Sequence, residues 1–265
     1  EKKISGWAHT GMRVASLKSN SSLKISSDKT ERLIWPLDGA GIEVTFKSQS
    51  ESGSHKLRGR KSVFHGTTDL IYLPIETEIE ITGSGRVIVA EAPAKNHKPV
   101  KFISRDSFPN SIRGAGNESR QIHDFGGVAA LDADRFLVVE VIVPAGNWSG
   151  VPPHKHDKFI PGVEANLEEI YYFEMAPDRN LKTPTSSDPK GLFRGYSADE
   201  RHFDVTTEVR SGDVVLVPYG WHGPIGAAPA YDMYFMNVMA GPDPDRVWNF
   251  VDEPGHEWIR DSWAH

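Results

Sequence analysis

Four side chains of this sequence have the types and the spacing that hold a metal ion. In Pro152-Pro153-His154-Lys155-His156-Asp157 the two histidines are separated by a single residue. Side chains at i and i+2 of a strand share a face, so both imidazoles project together. Glu169-Ile170-Tyr171-Tyr172-Phe173 reads as a second strand, with Glu169, Tyr171 and Phe173 on one face and Glu168, Ile170 and Tyr172 on the other. A third segment runs from Gly212 through Val217-Pro218 and a turn at Gly220 to His222. Three neutral imidazoles and one carboxylate suit a borderline divalent ion, and positions left for water or substrate make such a site catalytic. One His-x-His among 11 histidines is a weak sign. The strand glutamate and the post-turn histidine, arriving in order, strengthen it. The donor set does not choose among Zn, Mn, Fe, Co and Ni.

Short runs of β-branched and aromatic residues, bounded by Gly and Pro, must position these groups. Examples are Gly41 to Phe46, Asp69 to Leu73, Arg86 to Ala90, Phe136 to Val143 and Glu169 to Phe173. Such runs read as strands, and long helical periodicity is almost absent. The expected class is all-β, a sandwich or barrel of jelly-roll type. A doubling is visible: Tyr72-Leu73-Pro74 and Leu216-Val217-Pro218 each precede a further apolar strand. Two tandem barrels follow, joined in the loop-rich stretch between Ala92 and Gln121, with the boundary set at 1–110 and 111–265. His55 and His65 have no His-x-His partner, so the first barrel is expected to lack a metal site. Lys18 to Lys29 and Lys182 to Lys190 read as surface loops.

Composition narrows the function classes. Hydrophobic content of 38% and charged content of 25% fit a globular chain rather than a disordered one. No apolar run approaches the ~18 residues of a membrane span. A net charge of −6 gives no general attraction to nucleic acid or anionic lipid, so an anionic substrate must be held by local cations. The absence of cysteine excludes disulfides and thiolate chemistry. Glu1-Lys2-Lys3-Ile4-Ser5 carries no apolar signal core, and a cytoplasmic location is expected.

The motifs resemble those of the cupin superfamily, which combine His-x-His and a Glu with a second motif like Gly-x5-Pro-x-Gly-x-x-His. Gly212, Pro218, Gly220 and His222 match the second, one residue short before the histidine, and residues 158–167 lengthen the gap before the Glu. Within the cupins the chain resembles the 5-deoxy-glucuronate isomerase family of inositol catabolism, over nearly its whole length. The matching runs include Thr68 to Pro74, Arg120-Gln121-Ile122-His123, Pro144 to Ser149 running into Pro152 to Asp157, Leu167 to Tyr172 and Tyr231 to Pro242. Two places depart from it: Trp221-His222-Gly223-Pro224 stands where the family usually has Tyr-His-Pro, and Gly150-Val151 replaces a small polar-aromatic pair.

The resemblance implies two cupin barrels and an aldose–ketose isomerisation of 5-deoxy-D-glucuronate to 5-dehydro-2-deoxy-D-gluconate. Related uronate isomerases place their metal glutamate just before an apolar-Tyr pair, which selects Glu169 over Glu168. The expected ligands are then His154, His156, Glu169 and His222, with Tyr171 as a donor to a substrate oxygen. Arg120 is the candidate partner of the substrate carboxylate, since its guanidinium offers a two-pronged fork. The sequence names no catalytic base, and a hydride shift would need none. A metal-dependent dioxygenase and a non-catalytic sugar-binding cupin are the rival readings. The expected partner is a small sugar acid, without nucleic acid or membrane; edge strands would favour a homo-oligomer.

Overall fold

The computed structural model describes residues 6–108 and 111–264. Glu1 to Ser5, read above for a signal, and the Pro109–Asn110 step at the expected join lie outside the described residues. The chain forms two compact units, residues 6–108 with Phe125–Val138, and residues 111–124 with 139–264. The sequence reading assigned residues 125–138 to the second part. The structure counts them with the first, where Glu31 accepts backbone hydrogen bonds from Asp134, Arg135 and Phe136 at 2.7–2.9 Å.

The first unit is organised on one long strand, Glu78–Pro93. Its first part pairs with Ser22–Ile25 and Gly41–Lys47, its second with Gly11–Leu17 and Thr30–Pro36. The strand changes course at Gly83 and Gly85, both at positive φ. A Cβ at Gly85 would stand 2.4 Å from the Asp38 carbonyl oxygen, so only glycine fits the bend. Ile34, Val44, Ile71, Ile81 and Val89 fill the core between the faces. The Ser- and Lys-rich stretch 18–29, expected to be a loop, contains the strand Ser22–Ile25. Its Ile25 is buried in the core, and pairing to the long strand overrides the polar composition.

In the second unit two sheets face each other. One has the order Val214–Val217, Glu168–Pro177, Tyr231–Ala240, Leu137–Val143, Arg120–Asp124, Ser111–Arg113. The other runs Asp204–Val209, Gly191–Tyr196, Trp221–Ala227, His154–Lys155, Val251–Asp252, with Trp148–Ser149 also on Trp221–Ala227. Tyr171, Phe173, Phe193, Ile225, Met233 and Phe235 pack between them. The residues that lengthen the first motif form a hairpin of Asp157–Ile160 and Glu164–Asn166. The helical content is small: among the described residues the α-helix is Trp258–Asp261, and no helix is long and apolar enough to cross a membrane.

Candidate metal centre and adjoining cavity

Each candidate ligand comes from a different piece of local geometry. His154 lies on a short strand that pairs directly with His222. His156 follows after a single residue, and Lys155 between them turns to the opposite side, where its Nζ donates to Asp157 and Glu164 at 2.8 and 2.7 Å. The three rings converge: centroids are 4.5 Å apart for His154 and His222, 4.7 Å for His156 and His222, and 6.2 Å for His154 and His156. One ring nitrogen from each lies within 4.8 Å of the other two, and this trio could hold a metal ion.

The outer nitrogens are already committed. Nδ1 of His154 contacts the Pro152 carbonyl at 3.3 Å, that of His156 the Leu167 carbonyl at 3.3 Å, and that of His222 the Gly220 carbonyl at 3.2 Å. A carbonyl only accepts, so these contacts select the Nδ1–H tautomer and leave each Nε2 lone pair for the centre. Glu169 completes the group. Its Oε2 stands 3.1 Å from Nε2 of both His156 and His222, and its Oε1 accepts from Nδ2 of Asn237, which lies opposite Tyr171 on the Tyr231–Ala240 strand.

This arrangement fits a cation. His222 Nε2 is buried and, although near Glu169, is out of line for a hydrogen bond. An orphaned buried nitrogen carries a desolvation penalty of about 1–3 kcal/mol, which coordination would relieve. Burial and the neighbouring His222 and His156 push the His154 pKa well down, keeping that imidazole neutral. Burial works against a charged His156, but the Glu169 carboxylate outweighs it and draws the pKa up. Burial would raise Glu169, yet His222 and His156 hold it far below the usual carboxylate range. Three imidazoles around one carboxylate are the donors of a borderline divalent ion.

Tyr171 shares the Glu169 face, as the alternation predicts. Burial and then the Glu169 charge raise its pKa well above the ordinary phenol, so the hydroxyl stays protonated. Glu168 is buried on the other face. The cavity beside these residues is lined by His154, Glu169, Tyr171 and Asn237, and also by Arg113, Arg120 and Arg260. Trp248 and Phe250 also line it. Arg120 is 7% exposed. Burial first, then Arg113 and Arg260, lower its pKa to about 10.

The known proteins that match bear on this geometry. A model of the KduI/IolB family matches residues 1–259. The chain belongs to that family. Relatives include the 5-deoxy-glucuronate isomerases of Geobacillus thermodenitrificans, 35% identical over 97% of this chain and 88% of the relative, and of Bacillus subtilis strain 168, 35% identical over 93% and 86%. Among solved structures, an IolB-like protein of Salmonella typhimurium aligns with TM-score 0.82 and 34% identity, over 96% of this chain and 91% of that one. An oxalate decarboxylase of Lactobacillus farciminis aligns with TM-score 0.62 at 11% identity, over 93% and 80%; this likeness shows the cupin fold alone.

For this family member the sequence reading named His154, His156, Glu169, His222, Tyr171 and Arg120, and the structure brings all six to one cavity or to the imidazole cluster beside it. It missed Arg113, Trp248, Phe250 and Arg260. The last three lie in a C-terminal stretch without strand alternation, where only a recurrence of Trp and Arg was available as a signal. Tyr172 and Tyr234 lie on the sheet's other face, bonded to Glu174 and Glu140. The two departures from the family pattern meet: a Cβ on Gly223 would lie 2.0 Å from the Gly150 carbonyl oxygen. The bulge between Phe193↔Ile225 and Gly195↔His222 sits at this contact.

Proposed function

We propose that this chain is a metal-dependent 5-deoxy-glucuronate isomerase of inositol catabolism, converting 5-deoxy-D-glucuronate to 5-dehydro-2-deoxy-D-gluconate. The observation that carries the reading is full-length similarity to relatives bearing that name. His154, His156, Glu169 and His222 would hold a divalent ion, Zn, Mn, Fe, Co or Ni. Such an ion supplies Lewis-acid polarisation of the substrate carbonyl and its neighbouring hydroxyl.

The reaction moves one hydrogen from the hydroxyl-bearing carbon to the aldehyde carbon while the carbonyl shifts by one position. Negative charge develops on the two oxygens during the transfer. Tyr171, kept protonated, donates a hydrogen bond to one of them. Asn237 donates to Glu169 and orients its carboxylate. Arg120 takes the carboxylate at the other end of the substrate, and the two anchors hold the reacting carbons in register. Among the described lining residues Glu169 is the one carboxylate, already engaged by His156 and Asn237, so the wall offers no spare carboxylate base.

The test is an NMR assay of metal-loaded protein with 5-deoxy-D-glucuronate in deuterium oxide. The ketose product is expected, under anaerobic conditions as well as in air. Its deuterium content separates proton transfer, which admits solvent label, from a direct hydride shift, which does not. No ketose, or oxygen consumption with a phenolic substrate, would sink the proposal.

A further inference from the structure

Among the described residues, three buried side-chain nitrogens lack a hydrogen-bond partner: His222 Nε2, Arg120 Nε and Trp248 Nε1. The first belongs to the metal centre. The other two come from distant parts of the sequence, yet both residues line the same cavity. Buried donors are nearly always satisfied, and each that is not costs stability. Two such donors on residues that line one cavity mark a place for an acceptor.

The charges around them have the same bias. Arg113, Arg120 and Arg260 gather at this wall in a chain whose net charge is −6. Arg120 spends Nη1 on the Glu118 carbonyl at 3.0 Å and lies 4.9 Å from the Trp263 ring centroid. The carboxylates of this region have other partners. Glu118 accepts instead from Trp263 Nε1, and Asp252 is taken by Arg260 at 2.5 and 2.6 Å. Arg260 is further held against Phe250 and Trp263, its guanidinium carbon 5.0 and 5.4 Å from their centroids. The C-terminal stretch thus fixes a second cation beside Arg120.

We infer that Arg120 Nε and Trp248 Nε1 together form a carboxylate subsite, with Arg260 as a fixed flanking cation that sets the preference for sugar acids over neutral sugars. It rests on the isomerase reading only for the identity of the sugar acid. One carboxylate oxygen takes the guanidinium edge and the other the indole N–H, a charge-assisted pair with defined direction. Trp248 and Arg260 are therefore specificity-determining residues, contributed by the C-terminal segment to a site whose metal ligands lie elsewhere in the chain.

Two substitutions separate this from a structural role. Trp248→Phe removes the N–H and keeps an aromatic ring; Arg120→Lys keeps the charge and removes the fork. Each is checked for metal content and melting temperature, then titrated calorimetrically with D-glucuronate and with D-glucose, which differ at the carboxylate. The parent should prefer D-glucuronate, and each variant should bind it at least ~10-fold more weakly, about 1.4 kcal/mol, with D-glucose affinity unchanged. In the isomerase assay the same variants should raise KM for 5-deoxy-D-glucuronate by a similar factor, with a smaller change in kcat. A Trp248→Phe protein that retains full D-glucuronate affinity, or a loss equal for both sugars, overturns the subsite. If D-glucuronate binding follows the two donors but no isomerisation is seen, the subsite stands and the isomerase reading falls.

Discussion

Residues 168 and 169 are both glutamates and both buried, and strand alternation alone separates their roles. Glu169 reaches His156, His222 and Asn237; Glu168 points to the opposite face. Glu169→Gln removes the one anionic donor while keeping shape, so metal affinity should fall by more than the ~10–100-fold typical of outer-shell changes. Glu168→Gln should retain its metal. Elemental analysis of the two purified proteins decides, and full metal content in the Glu169 variant would move the ligand assignment. Two residues along the same face, Tyr171 offers a different test. Tyr171→Phe keeps the ring packed against Phe193 and Phe235 and deletes only the donor. Metal content should be unchanged while kcat falls ~100-fold, the low end for a positioned proton donor; unchanged kcat would remove Tyr171 from the chemistry. The facing of both side chains was legible in the sequence because facing on a strand depends only on parity.

At the scale of elements, the two ligand-bearing segments are clamped together by Asp157. Its Oδ2 accepts from Gly220 N at 3.0 Å, in the turn that delivers His222, and from Arg201 at 2.6 Å; its Oδ1 accepts from Lys155 at 2.8 Å. Glu164, from the hairpin that lengthens the first motif, takes the other side of Lys155 and the backbone N–H of Asp157. The insertion is therefore a brace for the His-x-His strand. Asp157→Asn leaves the buried Lys155 with Glu164 as its remaining carboxylate and puts an NH2 where donors already point, while the exposed Arg201 keeps Asp199. A loss of about 1–3 kcal/mol is expected, read as a lower denaturation midpoint, together with weaker metal retention as His222 loses its tether. Metal affinity equal to the parent's would show that the turn holds itself. Sequence patterns gave the strands on either side of this clamp. They could not give the clamp itself, since Asp157, Glu164 and Gly220 meet only once the hairpin has folded back. The same holds for Ser22–Ile25, a strand made by its partner rather than by its composition.

For the whole molecule, doubling was visible as two strand–Pro echoes, but the echo carries no information on residues 125–138, whose Phe125 packs on Trp35 at 6.0 Å. Nor does it tell one barrel's chemistry from the other's; that difference lies in single residues. In the second unit His154, His156 and His222 converge. In the first, His55 is stacked between Phe46 and Phe102, with centroids 6.1 and 5.3 Å away, and His65 contacts the Ser62 hydroxyl at 2.7 Å. These imidazoles are spent on packing and on a turn. One divalent ion per chain is therefore expected by elemental analysis of the fully loaded protein, and a second tight ion would require donors in the first unit. The ion should also act on stability unequally. A ligand at 1,000 times its Kd stabilises the unit that binds it by about 4 kcal/mol. The first unit's core of Ile34, Val44, Ile81 and Val89 gains nothing directly. Hydrogen exchange before and after chelation should thus show protection lost chiefly in Glu168–Pro177, Trp221–Ala227 and the His154 strand, while Glu78–Pro93 keeps its protection. Equal loss in both units would mean that the ion stabilises the chain as a single cooperative body.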